Sequence, residues 1–222
     1  MALAVLIPAA GAARRMQGRD KLLEEVAGEP VLRRLARAAI DARLGPVAVT
    51  LRPHDPARRD ALDGLPLCIL TVPDAAEGMA ASLRAGADWA AGPVKAPPGD
   101  VKRGDLEPGE TGQGVTGQGV TGLFVCPADM PEIEASDFAA LAAAFDQAGP
   151  PLRAASPDGR AGHPVLFPAR LLPLLGALQG DEGARSILSR YKPRLLHLAD
   201  DRALIDLDTQ AAWAAWRARP KG

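Results

Sequence analysis

The sequence predicts an α/β fold built around a mostly parallel sheet. Short apolar runs rich in Val, Ile and Leu alternate along the chain with segments whose apolar residues recur at helical spacing. Parallel strands need long crossover connections, which helices provide, so this alternation favours parallel pairing. The 222 residues, 47% of them hydrophobic, suffice for one domain with a large core. Because such sheets bind ligands beyond the carboxyl ends of their strands, residues that follow a strand are the candidates for function.

The first half of the chain contains three predicted strands separated by helices. The apolar run at 2–7 and the β-branched run at 47–51 are typical of buried strands, and a third such run covers 67–72. The segment 30–44 has the periodicity of an amphipathic helix, opened by a proline and closed by Gly-Pro. A short polar helix is predicted at 55–62.

The second half resumes this alternation after a break at 93–121. The break is rich in Pro and Gly and contains TGQGV twice in tandem, which predicts a disordered surface insertion. Ser136 is expected to cap the next helix, and Trp213 and Trp216 are expected to pack in the core of the last one. The strands predicted here are 123–125, 152–156, 163–167 and 195–198, and the helices are 136–148, 168–178, 180–191 and a final one after 208.

Composition argues against several classes of function. A formal net charge of −1 and 4% aromatic residues provide neither a basic surface nor stacking platforms for nucleic acid. No apolar run reaches the roughly 18 residues of a membrane span, and the run at 2–7 is too short for a signal peptide. Cys68 and Cys126 lie in apolar runs and are expected to be buried thiols. We therefore expect a cytoplasmic protein without a nucleic-acid or membrane partner.

The loop that follows the first strand is suited to a polyanion. Its small residues, 8–13, allow backbone N–H groups to approach phosphate oxygens. Four basic residues follow against one acid, and Lys21 is the last of them. The spacing matches neither the Walker loop nor the dinucleotide fingerprint. The alternative interpretation is a tight connection followed by a solvated basic face.

Two later segments are also candidates. Gly78 precedes a helix start and could admit an anion or a ribose, although a plain helix with a small-residue face explains the pattern as well. Asp129 follows a buried strand and precedes a proline turn, so its carboxylate could hold Mg²⁺ in the ligand crevice. The alternatives for Asp129 are a helix cap or an Asp-turn.

Further polar residues remain open to two interpretations. His163 begins a strand before a proline, and we expect it to line a substrate rather than to act as acid or base. The carboxylate of Asp181 stands at a predicted helix start, where it could simply complement the helix dipole. Asp208 could be a second metal ligand or the N-cap of the last helix.

The first loop resembles the signature of the MobA-like nucleotidyltransferases, which is roughly Leu/Thr-Ala-Ala/Gly-Gly-x-Ser-x-Arg-Met-Gly-x-x-Lys. It differs at Pro8, at Ala13, which lacks the usual serine hydroxyl, and by one extra residue near Gln17. The matching residues are Ala9, Ala10, Gly11, Arg15, Met16, Gly18 and Lys21.

Other family motifs follow in the family's order. They are Gly-Met-x-x-Ser-Leu-x-x-Gly at 78–86, Asp-Met-Pro at 129–131, Gly-Asp-x-Gly-Ala-Arg at 180–185 and Asp-x-Asp-Thr at 206–209. At 210–212 the chain has Gln-Ala-Ala where many relatives have Pro-Glu-Asp. Within the family, the sequence most resembles the molybdenum cofactor cytidylyltransferases.

This resemblance implies a fold and a reaction. The fold would be a three-layer α/β/α sandwich with a Rossmann-like, mostly parallel sheet, the nucleotide-diphospho-sugar transferase type, formed as one domain by residues 1–222. The reaction would be Mg²⁺-dependent transfer of CMP from CTP to a molybdopterin phosphate, with release of pyrophosphate. A molybdoenzyme or its chaperone would be a further partner. The alternatives are another NTP, a sugar- or polyol-phosphate acceptor, or a non-catalytic chaperone that binds the cofactor.

The resemblance also implies roles for individual residues. Those implied in catalysis are Arg15, Lys21 and Asp129. Those implied in nucleotide binding are Ala9, Ala10, Gly11, Gly78 and Ser82. Those implied in acceptor binding are His163, Asp181 and Arg185, and the implied metal ligands are Asp129 and Asp208.

Overall fold

The structure, a computed structural model, describes residues 2–11, 20–92, 119–180, 183–207 and 209–219. The strands are β1 (Leu3–Pro8), β2 (Glu25–Val26), β3 (Glu29–Pro30), β4 (Val47–Leu51), β5 (Cys68–Thr71), β6 (Gly122–Val125), β7 (Leu152–Ala155), β8 (Ala161–Pro168) and β9 (Arg194–His197). The helices are α1 (Val31–Asp41), α2 (Pro56–Ala61), α3 (Met79–Ala91), α4 (Ala135–Ala143), α5 (Leu172–Gly176), α6 (Arg185–Tyr191) and α7 (Gln210–Arg217). A short 3₁₀ turn precedes each of the helices α3, α5 and α7 in the chain.

A seven-stranded sheet in the order β5-β4-β1-β6-β8-β7-β9 forms the centre of the molecule. Within it β8 runs antiparallel to both of its neighbours, while the pairs β4–β5, β1–β4, β1–β6 and β7–β9 are parallel. The short turn between β7 and β8 leaves no room for a crossover, which explains the one antiparallel strand of this sheet. The predicted mostly parallel sheet is confirmed.

Helices cover both faces of the sheet, which confirms the three-layer sandwich. Side chains alternate across a strand, so β1 contributes to two cores. Leu3, Val5 and Ile7 pack with α1, α4 and α7, whereas Ala4 and Leu6 pack with α3, α5 and α6. This double burial explains why β1 is apolar without alternation.

The topology brings the ends of β1 and β6 together. The chain continues from β1 to β4 on one side, and β6 pairs with β1 on the other, so the strand order reverses at this point. The amide of Cys126 donates to the Leu6 carbonyl at 3.1 Å and the amide of Ala128 to the Pro8 carbonyl at 3.4 Å. The first loop and the Asp129 loop are therefore neighbours, although more than a hundred residues separate them in sequence.

Some local predictions were wrong. The strand at 67–72, predicted as buried, is the edge strand β5, so Cys68 is only half-buried, whereas Cys126 is fully buried. Ser136 does not cap α4, because the helix starts at Ala135 and Glu134 is its N-cap; the Glu134 amide donates to the Asp137 carboxylate at 2.9 Å. Among the helices of the described ranges, none is long and apolar enough to cross a bilayer.

Candidate active site

A cavity of about 440 Å³ opens where β1 and β6 end. It lies at the point where the strand order reverses, the usual ligand position in open α/β sheets. Seven residues that the sequence marked as functional lie in its wall, together with Arg52 and Met79, which it did not mark. The seven are Ala9, Ala10, Gly11, Lys21, Gly78, Ser82 and Asp129.

Lys21 and Asp129 form an ion pair in this cavity, with Nζ 2.5 Å from Oδ2. Their side chains are only 19% and 13% exposed. The other carboxylate oxygen of Asp129, Oδ1, is buried and has no hydrogen-bond partner within the described ranges. Asp129 therefore makes neither a helix cap nor an Asp-turn, and the two alternative interpretations of this residue are wrong. Its free oxygen is available to a cation or a donor in the cavity.

Asp129 is also held through its backbone. Its carbonyl accepts a hydrogen bond from the Leu207 amide at 3.2 Å, which ties the Asp129 loop to the segment before α7. Thr209 caps α7, since its hydroxyl accepts from the Ala212 amide at 3.1 Å. The proposed capping role of Asp208 was therefore wrong, because the next residue performs it.

A buried hydroxyl pair positions the first loop against α3. The Thr50 hydroxyl accepts from the Ala9 amide at 3.1 Å and donates to the Ser82 hydroxyl at 3.1 Å. Thr50 and Ser82 are both almost completely buried. The wall residue Ser82 is thus linked through Thr50 to the backbone of the loop, so the two sequence motifs form one structural unit.

The two glycines of the Gly-Met-x-x-Ser-Leu-x-x-Gly motif are required for different physical reasons. Gly78 has φ of 111°, a conformation that strains residues with a Cβ. A Cβ on Gly86 would lie 2.1 Å from Leu6 Cδ2, so glycine is needed for the close approach of α3 to β1. Together they explain why a helix can start and run so near the ligand cavity.

A second cavity of about 460 Å³ shares Met79 and Pro127 with the first. His163 and Arg185, both expected at the acceptor, line it, and so does Arg153. Most of the other lining residues are apolar, and they come from α3, β6, β8 and α6. The residues assigned to the two substrates thus line two cavities with a common wall.

His163 presents an unpaired nitrogen to this region. Burial and, to a smaller extent, the charge of Arg153 lower its pKa to about 4, so the imidazole is neutral near pH 7. Its Nδ1 is buried and has no hydrogen-bond partner among the residues that the structure describes. A neutral histidine supplies one acceptor nitrogen, and we therefore expect a ligand of this cavity to donate a hydrogen bond here.

An ion cluster at the start of α3 fixes the wall near the second cavity. Arg84 pairs with Asp74 and Glu77 at 2.6 and 2.5 Å and donates to the Leu178 carbonyl at 2.8 Å. Glu77 in turn accepts from the Gly180 amide at 3.0 Å. Hydrogen bonds from Arg84 lower the pKa of Glu77 to about 2. The segment before residue 181 is thereby held against α3.

Three predicted site residues, Arg15, Asp181 and Asp208, lie outside the described residues. Within the described part of the chain, no group of three or more His, Cys, Asp and Glu side chains forms a metal-binding cluster. Sequence reasoning also overlooked Arg52 and Arg58. Arg52 directly follows β4 and reaches the first cavity, and its position after a strand was the signal that could have identified it.

The protein has an α/β fold of the nucleotide-diphospho-sugar transferase type. The features that define it are the order of the strands, the helix layers on both faces of the sheet, and the cavity where the strand order reverses. More particularly, the chain belongs to the family of the MobA-like NTP transferase domain, whose sequence pattern matches residues 5–195. That membership makes it a nucleotidyltransferase by family. No curated protein sequence matches the chain.

Solved structures share the fold over nearly the whole chain. Rv0371c from Mycobacterium tuberculosis H37Rv is 24% identical, with a TM-score of 0.72 and 96% of each chain covered. A complex of Rv0371c with manganese gives 21% identity, a TM-score of 0.69 and 97% of each chain. CMP:2-keto-3-deoxy-manno-octonic acid synthetase complexed with CTP gives 14% identity, a TM-score of 0.67 and 98% of each chain. At these identities the likeness concerns the fold.

Proposed function

We propose that this protein transfers a cytidylyl group from CTP to a phosphate monoester of the molybdopterin type and releases pyrophosphate. The single observation that carries the proposal is the pair of adjoining cavities: one contains the Lys21–Asp129 pair, the other His163 and Arg185, and Met79 and Pro127 form their common wall. Two substrates bound in adjoining cavities can meet at that wall.

The first cavity suits a nucleoside triphosphate. Its loop consists of Ala and Gly residues that let the backbone approach phosphates, and Lys21 adds a positive charge. Arg15, which the family signature assigns to the triphosphate, would add a second. Ser82 and Gly78, which also line this cavity, would contact the nucleoside. The choice of CTP rests on the Ala-Ala-Gly sequence of the loop, which resembles the CTP-using branch.

The residues at Asp129 fit a divalent cation. Asp129 offers a buried carboxylate oxygen with no partner, and Mg²⁺ prefers few carboxylates combined with substrate phosphates. Asp208 would be the second carboxylate, because the Leu207 amide bonds to the Asp129 backbone. The manganese complex of Rv0371c supports a divalent ion in this fold. When bound, Mg²⁺ would neutralise triphosphate charge and orient the phosphates.

The side chains would then act mainly through position and charge. An oxygen of the acceptor phosphate attacks the α-phosphorus of CTP, and the bond from that phosphorus to the bridging oxygen breaks as pyrophosphate leaves. Lys21, which pairs with Asp129 before substrate arrives, would exchange that partner for the phosphates and stabilise the leaving group. Holding both substrates in line removes much of the entropic barrier.

The second cavity suits a largely apolar acceptor with a few hydrogen-bond donors. Among its described lining residues, the polar ones are Arg153, His163, Arg185 and Ser189. The unpaired Nδ1 of neutral His163 would accept from a ring N–H or amine, and Arg185 would attract an anionic group. A pterin ring meets this description better than a polyol, which would leave many hydroxyls without partners.

The test is pyrophosphate release by the purified full chain with Mg²⁺ and each of CTP, GTP, ATP and UTP, with and without molybdopterin. We expect release to require molybdopterin and to be fastest with CTP. Faster release with a sugar or polyol phosphate would identify the other acceptor class. Tight binding of molybdopterin with no pyrophosphate from any nucleotide would identify a non-catalytic chaperone and refute the proposal.

A further inference from the structure

The buried guanidinium of Arg58 joins two described parts of the chain, one that ends at Gly11 and one that begins at Asp20. Arg58 lies on α2, outside every family motif, and is 1% exposed. Its Nη1 donates to the carbonyls of Ala9 at 2.5 Å and Gly11 at 3.0 Å, which belong to the first part. Its Nε and Nη2 bind the two carboxylate oxygens of Asp20, in the second part, at 2.6 and 3.0 Å. One side chain therefore sets the distance between these two parts.

These contacts also determine what the loop presents to the cavity. Because a peptide bond is planar and trans, a fixed Ala9 carbonyl fixes the Ala10 N–H in the opposite direction. The negative ends of the Ala9 and Gly11 carbonyls point to Arg58, so they do not repel a polyanion. Ala10 belongs to the cavity wall, and its N–H, directed away from Arg58, would face the ligand.

The same guanidinium controls the approach of Lys21. The Asp20 carboxylate, oriented by Arg58, also accepts from the Leu22 amide at 3.0 Å. Lys21 lies between these two residues, so the turn that Asp20 closes sets the direction in which Lys21 extends towards Asp129. The guanidinium group of arginine carries several N–H donors in one plane, so it can donate to two carbonyls and a carboxylate at once. This explains why arginine is used here.

We propose that Arg58 is a positioning residue for the nucleotide: it holds the first loop and Lys21 in the conformation that binds the phosphates. This inference rests on the proposed function, since it assigns the nucleotide to the first cavity. Arg58 itself lies behind the loop and contacts no substrate. Its loss should therefore affect nucleotide binding much more than acceptor binding.

The experiment uses the full chain with the variants Arg58→Lys, Arg58→Met and Asp20→Asn. Arg170→Met serves as the matched control, because Arg170 also donates to two carbonyls, of Gln147 and Gly149, at 2.8 and 2.6 Å, and none of these residues lines either cavity. Thermal unfolding is measured first. The KM for CTP, the KM for molybdopterin and the Kd for CTP without acceptor are then measured for each folded variant.

We expect Arg58→Met and Asp20→Asn to raise the KM and Kd for CTP by roughly tenfold or more, equivalent to about 1.4 kcal/mol. The KM for molybdopterin should stay within twofold, and Arg58→Lys should recover only part of the nucleotide affinity, about a third to a half of the loss on a logarithmic scale, because an ammonium lacks the fork. Arg170→Met should lower thermal stability at most slightly and should leave the KM for CTP unchanged.

Folded Arg58→Lys and Asp20→Asn variants with wild-type Kd for CTP would overturn the role of Arg58 while leaving the proposed function intact. If Arg58→Met does not fold, these two variants decide the matter. Wild-type protein that binds none of the four nucleotides would overturn the proposed function, and the role of Arg58 with it.

Discussion

Replacing Lys21 by alanine should weaken both nucleotide turnover and the fold, by amounts that the ion pair with Asp129 allows one to work out. A charge-assisted contact to phosphate contributes about 1.5–3 kcal/mol. If that contact tightens as pyrophosphate leaves, the loss lowers kcat as well as raising KM. We therefore expect kcat/KM for CTP to fall by roughly one to two powers of ten.

The effect on stability follows from burial. Exposed ion pairs contribute about 0–1 kcal/mol, whereas breaking a fully buried pair costs about 3–5 kcal/mol. The side chains of Lys21 and Asp129 are 19% and 13% exposed, between these limits but nearer to burial. Without Lys21, both carboxylate oxygens of Asp129 would lack a partner. Lys21→Ala should accordingly lower the free energy of unfolding by about 2–3 kcal/mol.

The assays are pyrophosphate release at varied CTP and urea unfolding at neutral pH. Lys21→Arg should restore only part of the rate, because a planar fork does not replace a point charge. Arg160→Ala is the control, since it removes an ion pair that is more than half exposed and remote from the cavity. Equal losses in the affinities for nucleotide and for acceptor would refute the reasoning, because Lys21 would then serve the acceptor or the fold alone.

Three further predictions concern the metal, the second cavity and the helix contact. Asp129→Asn should abolish divalent-dependent transfer while circular dichroism stays native; substantial turnover in this variant would make Asp129 structural. Burial lowers the pKa of His163 to about 4, below the value of about 6.5 for an unperturbed histidine, so the unfolded chain takes up a proton first as pH falls. The stabilising contribution of the neutral imidazole is complete above about pH 6.5 and is lost between pH 6.5 and pH 4. The stability of wild type relative to His163→Gln should therefore decline over that pH range. Parallel pH profiles of the two proteins would contradict this prediction. Gly86→Ala should destabilise the fold by about 1–3 kcal/mol, because the new Cβ would clash with fully buried Leu6; unchanged urea midpoints would show that α3 can shift.

Local sequence patterns predicted the order of the main strands and helices and about half of the residues that line the first cavity. Strands such as β1 and helices such as α1 can be recognised from the spacing of their apolar residues. The spacing shows them because each element buries one or both of its faces, which requires apolar residues at regular positions. Gly78 and Gly86 were visible as a motif because the backbone conformation of one and the packing of the other tolerate no Cβ. Lys21 and Asp129 were identified separately, each from its own local pattern.

Which of these residues come into contact depends on the tertiary structure. Lys21 and Asp129 are 108 positions apart, and they pair because β6 enters the sheet beside β1. The same topology put the strand at 67–72 on the sheet edge rather than inside it, and the turn before β8 made that strand antiparallel. Arg58 had no local signal at all: on a short polar helix it resembles a solvated charge, and its burial follows from α2 packing behind the first loop. Contacts of this kind depend on the order of the strands in the sheet. That order is determined by the packing of the whole chain and cannot be predicted from any single segment.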